Sequence, residues 1–214
     1  MTDWLLILSF VLATYLVGLL YLHVRPVRGR KLQRQALNRR ALLVLDMQEE
    51  FCAGHGYDKA QMDGLCERIH VLQDRFAEQG DQVVQLRHYY SSRAMRLLVR
   101  LFAGGVGLHN SAVDPRLSRD AIPVYSHRRS DAFSNRRLAR FLDEQQVGEV
   151  VLCGIDTVFN LRLTAISAQE RGYRVIVIED AATTRMPAKW PLMRDKLVKR
   201  GIRIERSSDL TAAD

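Results

Sequence analysis

The pattern of hydrophobic and polar positions divides the chain into two parts. From Trp4 to Val24 the sequence reads WLLILSFVLATYLVGLLYLHV, which carries no formal charge unless His23 is protonated. A stretch of about 20 apolar residues is long enough to cross a bilayer as a helix. Further along, short apolar runs alternate with longer segments whose apolar residues recur every three or four positions. The pattern predicts one transmembrane helix in residues 1–24 and an α/β domain in residues 41–214.

Six short apolar runs in the second part are predicted to be strands. They are ALLVL (41–45), QVVQL (82–86), IPVYS (122–126), EVVLC (149–153), RVIVI (174–178) and IRIE (202–205). Helical patterns separate most of them, which is typical of βαβ units with right-handed crossovers. The predicted fold is therefore a six-stranded, mostly parallel sheet in the order 3-2-1-4-5-6, with helices on both faces.

Positive charge is concentrated directly after the apolar stretch. The chain has a formal net charge of +8, and its residues 25–40 contain Arg25, Arg28, Arg30, Lys31, Arg34, Arg39 and Arg40. Because these seven cations are preceded by a single charge, that of Asp3, residues 41–214 carry a net charge of only about +2. A nucleic-acid-binding domain is therefore not expected. Residues 25–40 are interpreted as a basic linker that lies on anionic lipid headgroups.

The same charges predict the orientation of the span. Cations after the span and none before it favour a cytoplasmic domain. A cleaved signal peptide, the alternative, would need positive charge before a shorter apolar run and a small-residue cleavage site after it. Here MTD precedes the run and RPVR follows it, so a single-pass membrane anchor is predicted. Three cysteines without a CxxC pattern, Cys52, Cys66 and Cys153, agree with a reducing compartment and predict neither a disulfide nor a metal site.

Candidate chemistry lies where the predicted strands end. Parallel strands bring their carboxyl ends to one edge of a sheet, so Asp46, His127 and the corner at Gly154–Asn160 are expected to converge. Asp46 can take up or deliver a proton, and His127 can act as a base or as a cation. Asn160 occupies the position best placed for a nucleophile, but an amide cannot act as one.

Three blocks of the sequence resemble the isochorismatase-like cysteine hydrolase superfamily, which includes nicotinamidases, N-carbamoyl amidohydrolases and isochorismatases. These blocks are ALLVLDMQEEF, SHRRSDAF and VVLCGIDTVFNLRLTAISAQERGYRVIVIEDA, within residues 41–206. The resemblance implies that Asp46 is the catalytic aspartate. It also implies that His127 stands at the catalytic lysine position, and that Asn160 stands at the position of the nucleophilic cysteine.

Further expectations concern the pocket residues, the metal ligands and the catalytic groups that this sequence lacks. Six residues are expected to line a pocket around these three positions, namely Gln48, Phe51, Tyr89, Phe133, Asp156 and Thr157. The metal-binding Asp and His pair of nicotinamidases has no match in RHYYSSR, and no cofactor is expected. Cys153 precedes Gly154 and so lies within a strand, where it cannot replace the nucleophile. A neutral imidazole at position 127 would not supply the fixed charge of a lysine.

Three classes of function follow from these substitutions. The favoured one is a catalytically degenerate, membrane-anchored domain that acts as a small-molecule sensor or interaction subunit. The alternative is an active hydrolase on a small amide or a vinyl ether, with Asp46 as the acid or base. The third is a docking body for a membrane-protein partner or a second copy of the chain. A concave site lined by Phe51, Tyr89 and Phe133 would favour an enzyme or sensor, and a filled one would favour the docking body.

Overall fold

A computed structural model describes residues 2–32, 39–53, 56–90, 92–102 and 110–211. The helices are α1 (Thr2–His23), α2 (Glu49–Cys52), α3 (Lys59–Glu78), α4 (Arg93–Phe102), α5 (Arg136–Glu144), α6 (Asn160–Arg171) and α7 (Trp190–Val198), with short 3₁₀ turns at Ala132–Ser134, Pro187–Lys189 and Asp209–Thr211. The strands are β1 (Arg39–Leu45), β2 (Gln82–His88), β3 (Val124–His127), β4 (Val147–Ile155), β5 (Arg174–Thr183) and β6 (Arg203–Glu205). Arg34, one of the seven predicted linker cations, lies outside these residues.

Within the described residues the six strands form one sheet in the order β3-β2-β1-β4-β5-β6. Every neighbouring pair is parallel. The predicted fold class and strand order are confirmed. Strand β5 continues five residues beyond its predicted end, because Ala182 and Thr183 still pair with Gly154 and Ile155 at the end of β4.

The sheet has a hydrophobic core on each face, as strand alternation requires. Leu43 and Leu45 of β1 face one core, which includes residues of α5, α6 and α7. Leu42 and Val44 face the other core, which α3 supplies with most of its helical residues. Helices therefore cover both faces, and the carboxyl ends of the strands remain as the edge at which polar groups can collect.

Helix α1 is long and apolar enough to cross a membrane over Trp4–His23. Its large side chains are exposed, with 77% of Trp4 and 73% of Phe10 accessible, so α1 is not a core helix of the domain. Its last residue behaves differently: the His23 side chain is buried, and its carbonyl accepts a hydrogen bond from the Ser130 N–H at 3.1 Å. The end of α1 therefore contacts the domain directly.

The first part of the linker, up to Leu32, is also attached to the domain. The Val27 N–H donates to the Asp131 carboxylate at 2.6 Å, and the Val27 carbonyl accepts from the Arg171 guanidinium at 2.7 Å. The Leu32 N–H donates to the Arg171 carbonyl at 2.8 Å. These bonds hold the chain between the apolar helix and the domain along the end of α6.

Candidate functional site

Asp46, His127 and Asn160 meet at the carboxyl edge of the sheet, although they are far apart in sequence. The Asp46 carboxylate accepts from His127 Nε2 at 2.8 Å through one oxygen, and from the Asn160 amide Nδ2 at 2.5 Å through the other. Asp46 follows β1, His127 ends β3 and Asn160 begins α6. The Asp46 and His127 side chains are buried. We refer to these three residues as the Asp46 centre.

Two backbone features bring the centre together. Gly154 has a φ of +105°, and a Cβ on it would lie 2.2 Å from the Leu45 carbonyl oxygen, so a side chain here would prevent β4 from passing this close to β1. Asp46 itself has a φ of +54°, and its N–H donates to the Leu86 carbonyl of β2 at 2.8 Å. This bond to β2 fixes Asp46 at the end of β1, and its side chain points towards the start of α6.

The hydrogen bonds of His127 determine its charge. Nδ1 lies 2.7 Å from the Arg129 carbonyl, which can only accept, so this nitrogen carries a proton. Nε2 faces the Asp46 carboxylate, which also accepts. Burial is the largest influence on the pKa of His127 and lowers it, but Asp46 and the Arg129 carbonyl together outweigh burial and raise the pKa above its usual value. The raised pKa favours the protonated form of His127, the cation of the two roles that the sequence left open, in an ion pair with Asp46.

A group of aromatic rings packs beside His127. The His88 ring is edge-on to His127 with ring centroids 5.0 Å apart, and it packs against Tyr90 at 4.2 Å and His23 at 5.3 Å. His88 is buried, and neither ring nitrogen has a hydrogen-bond partner among the described residues. Burial keeps the pKa of His88 well below its usual value, so the ring is neutral. The end of α1 is therefore in contact with the ring that adjoins the centre.

Three of the six predicted pocket residues serve to hold the strand ends. Gln48 is buried and accepts from the His88 N–H at 2.7 Å while donating to the Ser111 carbonyl at 2.9 Å. The Asp156 carboxylate accepts from the Val158 N–H at 2.7 Å. Thr157 is buried, and its N–H donates to the Thr183 carbonyl at 3.0 Å. Burial is the main reason that the pKa of Asp156 is raised.

The other three predicted pocket residues do not line a common pocket. Phe133 is buried in the core beside α6 and stacks on Tyr173, whereas Phe51 packs against the core on the opposite face of the sheet. Tyr89 is 36% exposed. No ring contact joins any two of these three within the part of the chain that the structure describes. The structure therefore does not bring Phe51, Tyr89 and Phe133 together, and a ligand pocket at the Asp46 centre stays a prediction.

At the end of β2, His88 rather than Tyr89 packs beside His127. His88 lies two positions after Leu86, so both belong to the same face of the strand, and Tyr89 belongs to the other. Strand periodicity alone would have selected His88. Nothing in the sequence pattern indicated that His23 of the apolar helix would pack beside it, because that contact depends on how the linker runs over the domain.

Among the described residues, two clusters could each bring three metal-ligating atoms together, although no metal site was predicted. One consists of Asp46, His88 and His127, and the other of Cys52, Cys66 and Asp114, each with its ligand atoms within 4.8 Å of one another. In the first cluster, Asp46 and His127 already satisfy each other. Cys153 belongs to neither; it is fully buried in β4, where burial raises the pKa of its thiol. It therefore lies inside the strand, away from the start of α6.

Comparisons with known proteins give one family. A sequence model described as the isochorismatase domain matches residues 40–209. The uncharacterized isochorismatase family protein YddQ of Bacillus subtilis (strain 168) is 28% identical over 144 residues, which cover 67% of this chain and 77% of that protein.

Several solved structures share the fold. N-carbamoylsarcosine amidase from Thermoplasma acidophilum superposes with a TM-score of 0.65 at 26% identity, over 79% of this chain and 96% of that one. An isochorismatase family protein from Desulfovibrio vulgaris superposes with a TM-score of 0.69 at 22% identity. The superposition covers 82% of this chain and 98% of that one. Pyrazinamidase of Pyrococcus horikoshii, in complex with zinc, superposes with a TM-score of 0.66 at 22% identity. The superposition covers 78% of this chain and 99% of that one.

Proposed function

Because this chain belongs to the isochorismatase family, we propose that it is a member whose Asp46 centre has lost the cysteine-hydrolase reaction and that it works as a membrane-anchored sensor or interaction subunit. The proposal has three parts: an anchor in residues 1–24, a basic linker in 25–40 and an isochorismatase-like domain in 41–214. One experiment below tests the Asp46 centre, and another tests the anchor together with its linker.

A single observation carries the loss of the reaction: an amide stands where the family resemblance calls for a thiolate. Asn160 Nδ2 donates to one oxygen of Asp46, and the His127 imidazolium holds the other. The nucleophile is therefore missing, and a histidine stands where the resemblance calls for a lysine. Loss of one member of a catalytic unit that acts together typically costs many powers of ten in rate.

The packing around the centre supports an interaction role over catalysis. His127 and Asp46 are buried, and the rings of His88, Tyr90 and His23 fill the space beside them. In this arrangement the Asp46 centre has a structural role, because the end of the anchoring helix packs against the rings beside it. A partner in the membrane, or a second copy of the chain, would then contact the exposed apolar side chains of α1.

Restoring the lost groups tests the assignment of the centre. The double variant Asn160→Cys with His127→Lys places a thiol at the start of α6 beside an ammonium group, and both features lower a thiol pKa. We expect iodoacetamide to modify this thiol at neutral pH faster than it modifies the thiol of Asn160→Cys alone. Mass spectrometry of the modified peptide measures both rates.

Glu170→Cys provides the matched control, because it places an exposed thiol at the opposite end of the same helix. The native Cys52, Cys66 and Cys153 are buried and give a low background. A double variant that reacts no faster than Glu170→Cys would mean that position 160 is not an activating site, and the assignment of the centre would be wrong.

The anchor and its orientation form a separate prediction. Cations that follow the apolar span favour an uncleaved helix with the domain in the cytoplasm. We expect a phosphatase fused to the C-terminus, which is active only outside the cytoplasm, to be inactive. Moving the seven linker cations ahead of Trp4 should raise the activity of the fusion. An active fusion on the native sequence would overturn the orientation.

A further inference from the structure

A cavity of about 980 Å³ lies between the linker and the domain, away from the Asp46 centre. We call it the linker pocket. The linker lines it with three cations, Arg28, Arg30 and Lys31. Its volume is in the range of about 300–1,000 Å³ that is typical of small-molecule sites. It is therefore large enough to take a ligand between the two parts of the chain.

The domain lines the same cavity with five more cations, one of which, Arg171, already donates to the Val27 carbonyl. Arg128 and Arg129 follow β3, and Arg136 and Arg140 lie one turn apart on α5. Asp143 is the one acidic residue that lines the cavity within the described part of the chain. Apart from Arg171, seven cations thus face a single carboxylate, where the linker meets a domain whose residues 41–214 have a net charge of only about +2.

None of these seven side chains forms a salt bridge within the described ranges. The nearby buried groups are already engaged. Asp131 accepts from the Val27 N–H and from Ser167, and Arg171 donates to the Val27 carbonyl and lies 4.6 Å over the Phe133 ring. Among the described residues that line the cavity, Asp143 is therefore the one carboxylate that faces the seven cations.

Membrane topology explains only part of this charge. Linker cations after a transmembrane helix fix its orientation, but that rule makes no demand on Arg128, Arg129, Arg136 or Arg140, which are more than 90 residues further along the chain. Like charges brought together across a cavity repel, so the linker would be better placed elsewhere unless an anion occupies the space. The convergence of two separate cation groups indicates a shared ligand.

We propose that the linker pocket binds a phosphate-bearing anion with at least two negative charges. Guanidinium groups match the oxygens of phosphate in charge and in fork geometry, and six of the seven cations are arginines. The cavity begins four residues after the end of α1, so the phosphate of a lipid headgroup and that of a free metabolite are both possible sources. The bound anion would join the linker to α5.

The proposal is independent of the catalytic state of the Asp46 centre, because none of its three residues lines the cavity. To test it, the full chain is placed in nanodiscs of phosphatidylcholine and titrated with inorganic pyrophosphate by calorimetry. We expect binding that weakens by about tenfold or more in Arg136→Gln/Arg140→Gln, which corresponds to about 1.4 kcal/mol.

Arg96→Gln/Arg100→Gln on α4 is the matched control, because these two exposed arginines have the same spacing on a helix and lie outside the cavity. The control pair should leave pyrophosphate affinity unchanged. Absence of pyrophosphate binding, or equal weakening by both pairs, would overturn the proposal, since equal weakening would reflect diffuse positive charge.

A second set of nanodiscs distinguishes the two phosphate sources. Phosphatidic acid, which presents a phosphomonoester at the bilayer surface, replaces part of the phosphatidylcholine. If a headgroup fills the pocket, pyrophosphate binding should be reduced in these discs for the native chain and for the α4 control pair alike. If pyrophosphate binding is undiminished, the ligand is a free phosphorylated compound, and the linker pocket is still assigned as a phosphate site.

Discussion

The Asp46 centre and the linker pocket are both built from charged side chains, and they differ in where the counter-charges come from. In the centre, the chain itself supplies a partner for each group: Asp46 holds the His127 imidazolium and the Asn160 amide. In the linker pocket, seven cations besides Arg171 face one carboxylate. A cluster that satisfies itself contributes to stability, whereas a cluster that does not is suited to binding. The Asp46 centre therefore has the features of a structural element, and the linker pocket has the features of a binding site.

The largest expected effect comes from breaking the self-satisfied cluster. Asp46→Leu would leave a buried imidazolium and a buried amide without their acceptor, and removing one partner of a buried ion pair costs about 3–5 kcal/mol. Urea denaturation should show this loss in the free energy of unfolding. Asp120→Leu, at an exposed position, is the control and should change it by less than about 0.5 kcal/mol. If the two variants have equal free energies of unfolding, the Asp46 centre does not have a structural role.

A smaller effect is expected where the linker joins the domain. Arg171→Met removes the bond to the Val27 carbonyl and the contact with the Phe133 ring, each worth about 1 kcal/mol. The linker should be released more often, so trypsin should cleave within residues 25–32 faster than in the native chain. Arg137→Met, at an exposed position on α5, removes one cation without touching the linker. If both variants are cleaved at the native rate, the linker is not held by Arg171.

The smallest effect, and the one opposite in sign, is expected in the pocket. Arg140→Gln removes a cation that has no anionic partner within the described residues, so in phosphate-free buffer it should leave the free energy of unfolding unchanged or raise it by up to about 0.5 kcal/mol. Chemical denaturation with and without pyrophosphate measures this. A clear loss of stability without any anion would show that Arg140 has a partner in the chain, and the contrast between the two clusters would fail.

Strand periodicity was sufficient to predict the sheet order and the convergence of Asp46, His127 and Asn160, because parallel strands end on one edge whatever their loops do. It also placed Cys153 inside β4. The charge of His127 could not be predicted in this way, because it depends on the Arg129 carbonyl, two residues beyond the strand. The linker pocket could not be predicted either, since its two cation groups meet only after the linker has folded back against α6.

Turnover by the native chain tests the central claim, that the Asp46 centre is structural, most directly. The native chain and Asp46→Asn, which keeps the shape of the side chain, are assayed side by side on nicotinamide, pyrazinamide, N-carbamoylsarcosine and a vinyl-ether substrate. We predict no turnover above the protein-free rate for either protein, together with a lower free energy of unfolding for Asp46→Asn. Turnover by the native chain that disappears in Asp46→Asn would contradict the account, because Asp46 would then be acting as a general acid or base without a thiol.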